Sequence, residues 1–223
     1  MGKRNYNQFC PVAYSLDLIG DRWTLLIIRE LMFGVRRYKD FQSALTGIGT
    51  NLLATRLKEL EQSGLINHFQ LPPPAGSMVY ELSERGRALK KPLLDLARWG
   101  LPLLPIPRPE SEQINASAIL TAMELFFLPE KARDALLTAE FHTREDVFYI
   151  VVEDGEIALG YGVAHQPDLV IHSNLQYLLM LTCGFASIDH GADTNPLVLE
   201  QGRLEDVQKL FQLFQFQTFN QLA

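Results

Sequence analysis

The sequence predicts an α+β protein in two parts. Helices and one hairpin fill the first hundred residues, and a helix-covered antiparallel sheet follows residue 115. Apolar residues recur every three or four positions through most of the first part, which is the spacing of amphipathic helices. Short runs rich in Val, Ile, Phe and Tyr, bounded by turn residues such as Asp-Gly, dominate the second part and are typical of strands.

The bulk composition is that of an ordinary globular protein. The 223 residues are 47% hydrophobic and 21% charged, which fits one large domain or two small ones. Apolar runs stay shorter than a bilayer requires, so no membrane span is predicted, and the N-terminus does not have the pattern of a secretory signal. The two distant cysteines favour a reducing, cytoplasmic environment over a disulfide framework.

Charge is distributed unevenly along the chain. Residues 1–108 contain 15 Lys and Arg against 9 Asp and Glu, a net charge of +6; residues 109–223 contain 5 and 17, a net charge of −12. The two halves together give the 20 basic and 26 acidic residues of the whole chain. A basic first half favours a polyanionic partner for that part, whereas the acidic half would repel one.

A proline-rich segment, Leu101–Asn115, coincides with this change of charge. Its four prolines fix φ and remove backbone donors, so neither a helix nor a central strand is expected to continue through it. We therefore predict domains at residues 1–100 and 116–223, joined by an extended linker at 101–115.

The first part is predicted to contain helices around one hairpin. Asp21 is the predicted N-cap of the second helix, Thr50 that of the fourth, and Pro92 is expected to kink the last. Gly64 ends the fourth helix as a C-terminal glycine. The predicted helices are 11–19, 22–33, 38–45, 50–62 and 84–99, and the predicted hairpin strands are 65–71 and 78–82.

Helix, turn, helix and hairpin, in this order, form a winged helix-turn-helix. The second helix of such a pair fits the major groove of double-stranded DNA, and nearby cations contact phosphates. The alternative is a protein-binding module whose Lys and Arg residues are merely solvated. The predicted DNA-binding residues are Arg36, Arg37, Lys39, Thr50, Asn51, Thr55, Arg56, Lys58 and His68.

The first part contains four segments in a fixed order: CPVAYSLDLIGDRWTLLIIRELMFGVRRYKDF, IGTNLLATRLKELEQSGLI, VYELSERGRAL and the closing Trp99. Through these segments residues 9–100 resemble the HxlR-type winged helix regulators of bacteria. The resemblance implies a cytoplasmic homodimer, paired through the first and last helices of the domain, that binds a roughly palindromic operator through residues 50–58. Because the family includes repressors and activators, the sign of regulation does not follow.

The wing and Cys10 differ from the rest of the resemblance in what they imply. The wing begins Asn67-His68-Phe69-Gln70, whereas basic and aromatic residues often follow Gly-Leu-Ile in the family, so strong phosphate contact by this wing is not expected. Many such regulators have a cysteine where Cys10 stands, and in some of them it senses oxidants or electrophiles. Cys10 is thus a redox-sensing candidate, with packing in the dimer interface as the structural alternative.

The second part is predicted to form an α+β domain, with Ser173 capping one helix through a capping box with Gln176. It resembles the sterol carrier protein family through FYIVVEDGEIALGYG, QPDLVIHSNLQYLLMLTCG and LVLEQGRLEDVQKLFQLF. The resemblance implies an apolar tunnel for a hydrophobic small molecule. The aromatic lining candidates, each of which would otherwise be core, are Phe126, Phe127, Phe141, Phe148, Tyr177, Phe185, Phe211 and Phe214.

The sequence contains none of the common catalytic or nucleotide-binding motifs, so we predict neither an enzyme nor a cofactor. His165, Asp168 and His172 are spaced too irregularly for a convincing metal site. Two hypotheses follow: a DNA-binding regulator that responds to a hydrophobic ligand, and a carrier of lipids or other hydrophobic molecules whose winged helix serves only to dimerise.

Overall fold

The computed structural model describes residues 5–105, 107–188 and 196–216. The chain divides into two compact units, Met1–Leu96 and Ala97–Ala223. No helix among the described residues has both the length and the apolar character needed to cross a bilayer. The elements of the first unit, with the helix that runs past its end, are α1 Pro11–Ile19, α2 Thr24–Leu31, α3 Tyr38–Ala44, α4 Thr50–Gln62, β1 Ile66–Gln70, β2 Met78–Leu82, α5 Glu84–Arg87 and α6 Lys90–Gly100.

The core of the first unit lies between α2, α3, α4 and the hairpin. Ile27, Ile28 and Phe41 are fully buried there, together with leucines of α4. Strands β1 and β2 pair antiparallel from Ile66 opposite Leu82 to Gln70 opposite Met78. The order of helix, turn, helix and hairpin confirms the predicted winged helix-turn-helix.

Several predicted helix ends are wrong by a few residues. Asp21 does not cap α2, because Trp23 precedes that helix with a left-handed backbone of φ 78°. Gly49, not Thr50, is the N-cap of α4. The break in the last helix falls at residues 88–89 instead of at Pro92. Pro92 is the third residue of α6. The first N–H groups of a helix have no partner within it, so the missing N–H of Pro92 costs no helical hydrogen bond.

The second unit is a five-stranded sheet with helices. Its strand order is β5-β4-β3-β6-β7. Phe141 and Phe148 are fully buried, and the Phe141 ring also meets that of Phe211 on α9. The elements are α7 Ala116–Phe126, β3 Leu136–His142, β4 Val147–Glu153, β5 Glu156–Tyr161, β6 Leu169–His172, α8 Leu175–Thr182, β7 Val198–Gln201 and α9 Leu204–Gln212, with short 3-10 turns at Leu101–Leu103 and Pro129–Lys131.

The prediction of a wholly antiparallel sheet is wrong. Strand β6 pairs parallel to β3, with Ala139 opposite Leu169 and His142 opposite His172. Since β5 also runs parallel to β3, residues 162–168 must return along the length of the sheet before β6 begins. The buried carboxylate of Glu140 holds this return segment by accepting a 2.6 Å hydrogen bond from the backbone N–H of Ala164.

The cap predicted for α8 is displaced by one residue. Asn174, not Ser173, is the N-cap, and its side-chain oxygen accepts a hydrogen bond from the backbone N–H of Tyr177 at 2.8 Å. Asn and Ser are both good N-caps, so the sequence alone did not separate them. The last helix, which the sequence predicts from Leu204 to about Phe219, ends at Gln212. The part of this predicted range beyond residue 216 lies outside the described residues.

Candidate nucleic-acid interface

Helix α4 has one buried and one open side. Leu53, Leu57 and Leu60 have exposed fractions of 0%, 1% and 2%, and their spacing of four and three residues gives a single apolar stripe. The opposite side exposes Asn51, Ala54, Thr55 and Lys58. Small and polar side chains over two helical turns leave room for close approach by another molecule, so this side is the candidate interface.

The spacing of the leucines predicts that Leu52, Leu53, Leu57 and Leu60 all face inward, and Leu52 departs from this prediction. It is 38% exposed and lies beside the candidate interface. A residue directly before the buried stripe stands about 100° round the helix from it, which explains its partial exposure.

The start of α4 is held by a side chain from α3. The hydroxyl of Tyr38 donates a 2.7 Å hydrogen bond to the carbonyl oxygen of Thr50. One turn later the hydroxyl of Thr55 donates to the carbonyl oxygen of Asn51 at 2.8 Å. The sequence pattern gave no sign of this contact between Tyr38 and α4.

The predicted cations divide into exposed and engaged groups. Lys39 and Lys58 are exposed, and Arg37, the N-cap of α3, is half-buried. Arg36 is wrong as a phosphate contact, because its side chain is only 6% exposed and lies 3.3 Å from the fully buried carboxylate of Glu30. Its position one residue before Arg37 did not distinguish the two arginines in the sequence.

Arg56 is also engaged within the protein. Its Nη1 atom is 2.8 Å from Oδ2 of Asp21 and 2.5 Å from Oε2 of Glu59, and its side chain is 18% exposed. Two carboxylates at this distance offset the guanidinium charge and would repel a phosphate brought to the same atom. The sequence predicted Arg56 as a DNA-binding residue and did not identify Asp21 as its partner.

The wing has no lysine or arginine between residues 66 and 82. His68 is exposed, with its ring stacked on that of Tyr80 at 4.2 Å and 3° between planes. Burial raises the pKa of the Tyr80 phenol, assisted by the charges of Glu61 and Tyr38, so Tyr80 stays neutral at physiological pH. The wing therefore presents the flat, stacked rings of His68 and Tyr80, while the side-chain amide of the neighbouring Asn67 donates a 3.1 Å hydrogen bond to Glu81.

Exposed apolar side chains stand at the start of α1, where Phe9, Val12 and Tyr14 are 103%, 65% and 60% exposed. On α6, Leu96 and Trp99 are 46% and 63% exposed. Large apolar side chains with this degree of exposure are candidates for contact with another molecule. Cys10, half-buried, is the residue before α1. Its redox role stays a prediction, which unchanged DNA affinity after quinone treatment would contradict.

The aromatic candidates of the second unit differ in exposure. Phe141 and Phe148 are fully buried with ring centroids 5.2 Å apart, so they are core. Phe185 is 58% exposed and its ring lies 5.6 Å from that of Phe216. The others range from buried to half-buried: Phe126, Phe127, Tyr177, Phe211 and Phe214.

Two of the residues considered for metal binding, His172 and Asp168, make other contacts. Nε2 of His172 lies 2.6 Å from Oε2 of Glu200, and its ring stacks on that of His142 at 4.7 Å. Asp168 accepts a 2.8 Å hydrogen bond from the backbone N–H of Thr138. Within the three described segments of the chain, no three His, Cys, Asp or Glu side chains are grouped to hold a metal ion.

Cys183 is predicted to be a slow thiol. Burial raises its pKa to about 11, so only about one molecule in a thousand carries the reactive thiolate at pH 8. We expect alkylation of Cys183 by iodoacetamide to run roughly two hundredfold slower at pH 8 than that of an unperturbed cysteine, and to accelerate about tenfold per pH unit up to pH 11. Peptide mass spectrometry of a Cys10→Ser variant measures this rate, and alkylation as fast as that of free cysteine would contradict it.

Comparison with known proteins places the first part of the chain in a family. Residues 18–105 match the family model described as HxlR-like helix-turn-helix. The HTH-type transcriptional regulator YodB of Bacillus subtilis is 37% identical over 94 residues, which cover 42% of this chain and 84% of YodB. An uncharacterized HTH-type transcriptional regulator of Synechocystis is 35% identical over 91 residues, 41% of this chain and 67% of the relative. The solved reduced form of YodB is 36% identical and covers 42% of this chain and 92% of its own, with a TM-score of 0.38. The chain therefore belongs to the HxlR-like helix-turn-helix family.

Proposed function

We propose that this protein is a transcription regulator that binds double-stranded DNA as a homodimer, with α4 in the major groove. The observation that carries the proposal is the outer side of α4, where Asn51, Thr55 and Lys58 are exposed while three leucines anchor the opposite side. An amide side chain can pair with the edge of adenine, and lysine supplies a phosphate or guanine contact. The relatives named as transcriptional regulators support the same function.

The homodimer part of the proposal rests on the apolar surface of α1. Burying Phe9, Val12 and Tyr14 against a second copy would remove from water the largest exposed apolar side chains of this segment. A two-fold dimer would place two copies of α4 on successive turns of the same DNA face, which is the geometry that a palindromic operator requires.

The first experiment is a fluorescence-anisotropy titration with duplex DNA from upstream of the protein's own gene. A scrambled duplex of the same length and composition is the control, and both titrations are repeated at several salt concentrations. Specific binding should exceed non-specific binding by roughly a thousandfold or more at physiological salt. Equal, weak binding to every upstream duplex would count against the proposal.

Two variants of α4 should fail in different ways. Asn51→Ala removes a base-reading side chain, so it should reduce operator affinity by about tenfold to a hundredfold and leave the scrambled duplex unaffected. Lys58→Ala removes a phosphate contact, so it should weaken both duplexes and reduce the salt slope by about one per protomer. Anisotropy titrations measure both effects. If the two variants lost affinity in the same sequence-independent way, Asn51 would not be reading bases.

We further propose that the second unit binds a hydrophobic small molecule that alters operator affinity. The exposed ring of Phe185 beside Phe216 supports this part of the proposal, since a half-open aromatic pair is a suitable wall for an apolar ligand. Oleate is a suitable probe: operator affinity that is equal with and without saturating oleate would reject coupling to that ligand class. Oleate binding together with non-specific DNA binding would favour the carrier function instead.

A further inference from the structure

The connection between α1 and α2 touches the helix-turn-helix at two points. At the first point, the ring of Trp23 lies against Gly47 in the turn between α3 and α4, where an added Cβ would stand 3.8 Å from the Trp23 Cη2 atom. At the second point, the carboxylate of Asp21 meets the guanidinium of Arg56 in the middle of α4, at 2.8 Å. The four residues 20–23 thus contact both the turn between α3 and α4 and the helix α4 itself.

The backbone of this connection is strained. Trp23 has φ 78°, a left-handed conformation that a bulky residue holds only where its surroundings fix it. The guanidinium of Arg22 lies 5.2 Å from the centre of the Trp23 ring, on which it stacks. The contacts with Arg22 and Gly47 therefore hold an unfavourable conformation, and this conformation sets where Asp21 stands.

The side chain of Arg56 contacts Asp21 and does not extend into solvent. Its side chain is 18% exposed although it lies next to an open helix face, and Glu59 holds the same Nη1 atom from within α4. Asp21 is 66% exposed, so the ion pair closes the junction from the solvent side. The guanidinium of Arg56 thus contacts one carboxylate of its own helix, from Glu59, and one of the α1–α2 connection, from Asp21. These two contacts fix the orientation of α4 relative to the connection.

We propose that Asp21 and Arg56 are positioning residues that couple α1 to the recognition helix. This inference rests on the proposed function, in which α1 pairs with a second copy and α4 reads bases. The direction of α1 in the dimer would then determine the direction of α4 in the groove. Because a bidentate base contact tolerates errors of only about half an ångström, loosening the junction should lower sequence discrimination more than it lowers affinity for DNA in general.

The test compares four variants with the wild-type protein in the operator and scrambled-duplex titrations. They are Asp21→Asn, Arg56→Gln, the double variant and the charge-reversed pair Asp21→Arg with Arg56→Asp. Asp206→Asn is the matched control, since it removes a carboxylate that pairs with Arg203 and Lys209 in the second unit. Urea unfolding of each variant checks that the fold is retained.

We expect each single variant to reduce operator affinity by roughly fivefold to twenty-fivefold, with the scrambled duplex unchanged, because such a pair couples by up to about fivefold and an operator engages two protomers. The double variant should lose no more than either single variant, and the charge-reversed pair should recover most of the discrimination. Unchanged discrimination in Asp21→Asn would overturn the inference. So would tighter binding of that variant to both duplexes, which would make Arg56 a phosphate contact held back by Asp21. A wild-type protein without operator preference would instead overturn the proposed function, and the inference with it.

Discussion

Replacing Glu30 with alanine is expected to lower the free energy of unfolding by about 3–5 kcal/mol. Glu30 is fully buried in α2 and accepts charge-assisted contacts from Arg36 at 3.3 Å and Arg29 at 3.0 Å. Removing it would leave the guanidinium of Arg36, only 6% exposed, without its carboxylate in a setting of low polarity. Urea unfolding followed by tryptophan fluorescence measures the loss.

Two controls separate this effect from simple loss of packing. Arg29→Ala should cost less than about 1 kcal/mol, because the Arg29 side chain is 21% exposed and water replaces its contact. The double replacement Glu30→Met with Arg36→Met should recover most of the stability, since it removes both charges and keeps the volume. A loss below 1 kcal/mol in Glu30→Ala would show that Arg36 finds another partner or reaches solvent.

Phe141→Ala is expected to cost about 3–5 kcal/mol of the stability of the second unit. The ring is fully buried on β3, stacks on Phe148 at 5.2 Å and meets Phe211 at 6.3 Å, so alanine leaves a cavity that three elements line. Thermal unfolding followed by circular dichroism measures the change.

Phe185→Ala is the matched control for this second prediction. Phe185 is 58% exposed, and its loss should change stability by no more than about half a kcal/mol. If Phe185→Ala abolished oleate binding while stability was retained, Phe185 would be identified as a ligand-binding residue. A small loss in Phe141→Ala would mean that the ring lines a space already empty, as the tunnel interpretation requires.

Periodicity in the sequence was enough to find the elements of the first unit. The leucines at 52, 53, 57 and 60 predicted the inward side of α4, correctly for all but Leu52, and the remaining positions Asn51, Thr55 and Lys58 are exposed as expected. This works because a helix with a buried side has its register fixed by that side. The hairpin was found for the same kind of reason, since two strand-like runs flank a Pro-Gly turn.

Long-range partners could not be predicted in this way. Arg36 and Arg37 are neighbours in sequence, and only the buried Glu30 six residues earlier decides that the first of them turns inward. Asp21 reads as a helix cap, yet it pairs with Arg56 across the domain. In the second unit, local sequence patterns located the strands. No local pattern determines that β6 pairs with β3 and not with β5.

The return segment at residues 162–168 carries a consequence for how the second unit folds. Strands β3, β4 and β5 are joined by tight turns, so their pairing closes short loops. The parallel pair joins Ala139 to Leu169, and each doubling of loop length adds about 0.6 kcal/mol of closure entropy. Non-local pairing of this kind slows folding. The meander of β3, β4 and β5 is therefore expected to form first, and the non-local pairs β3–β6 and β6–β7 are expected to follow it.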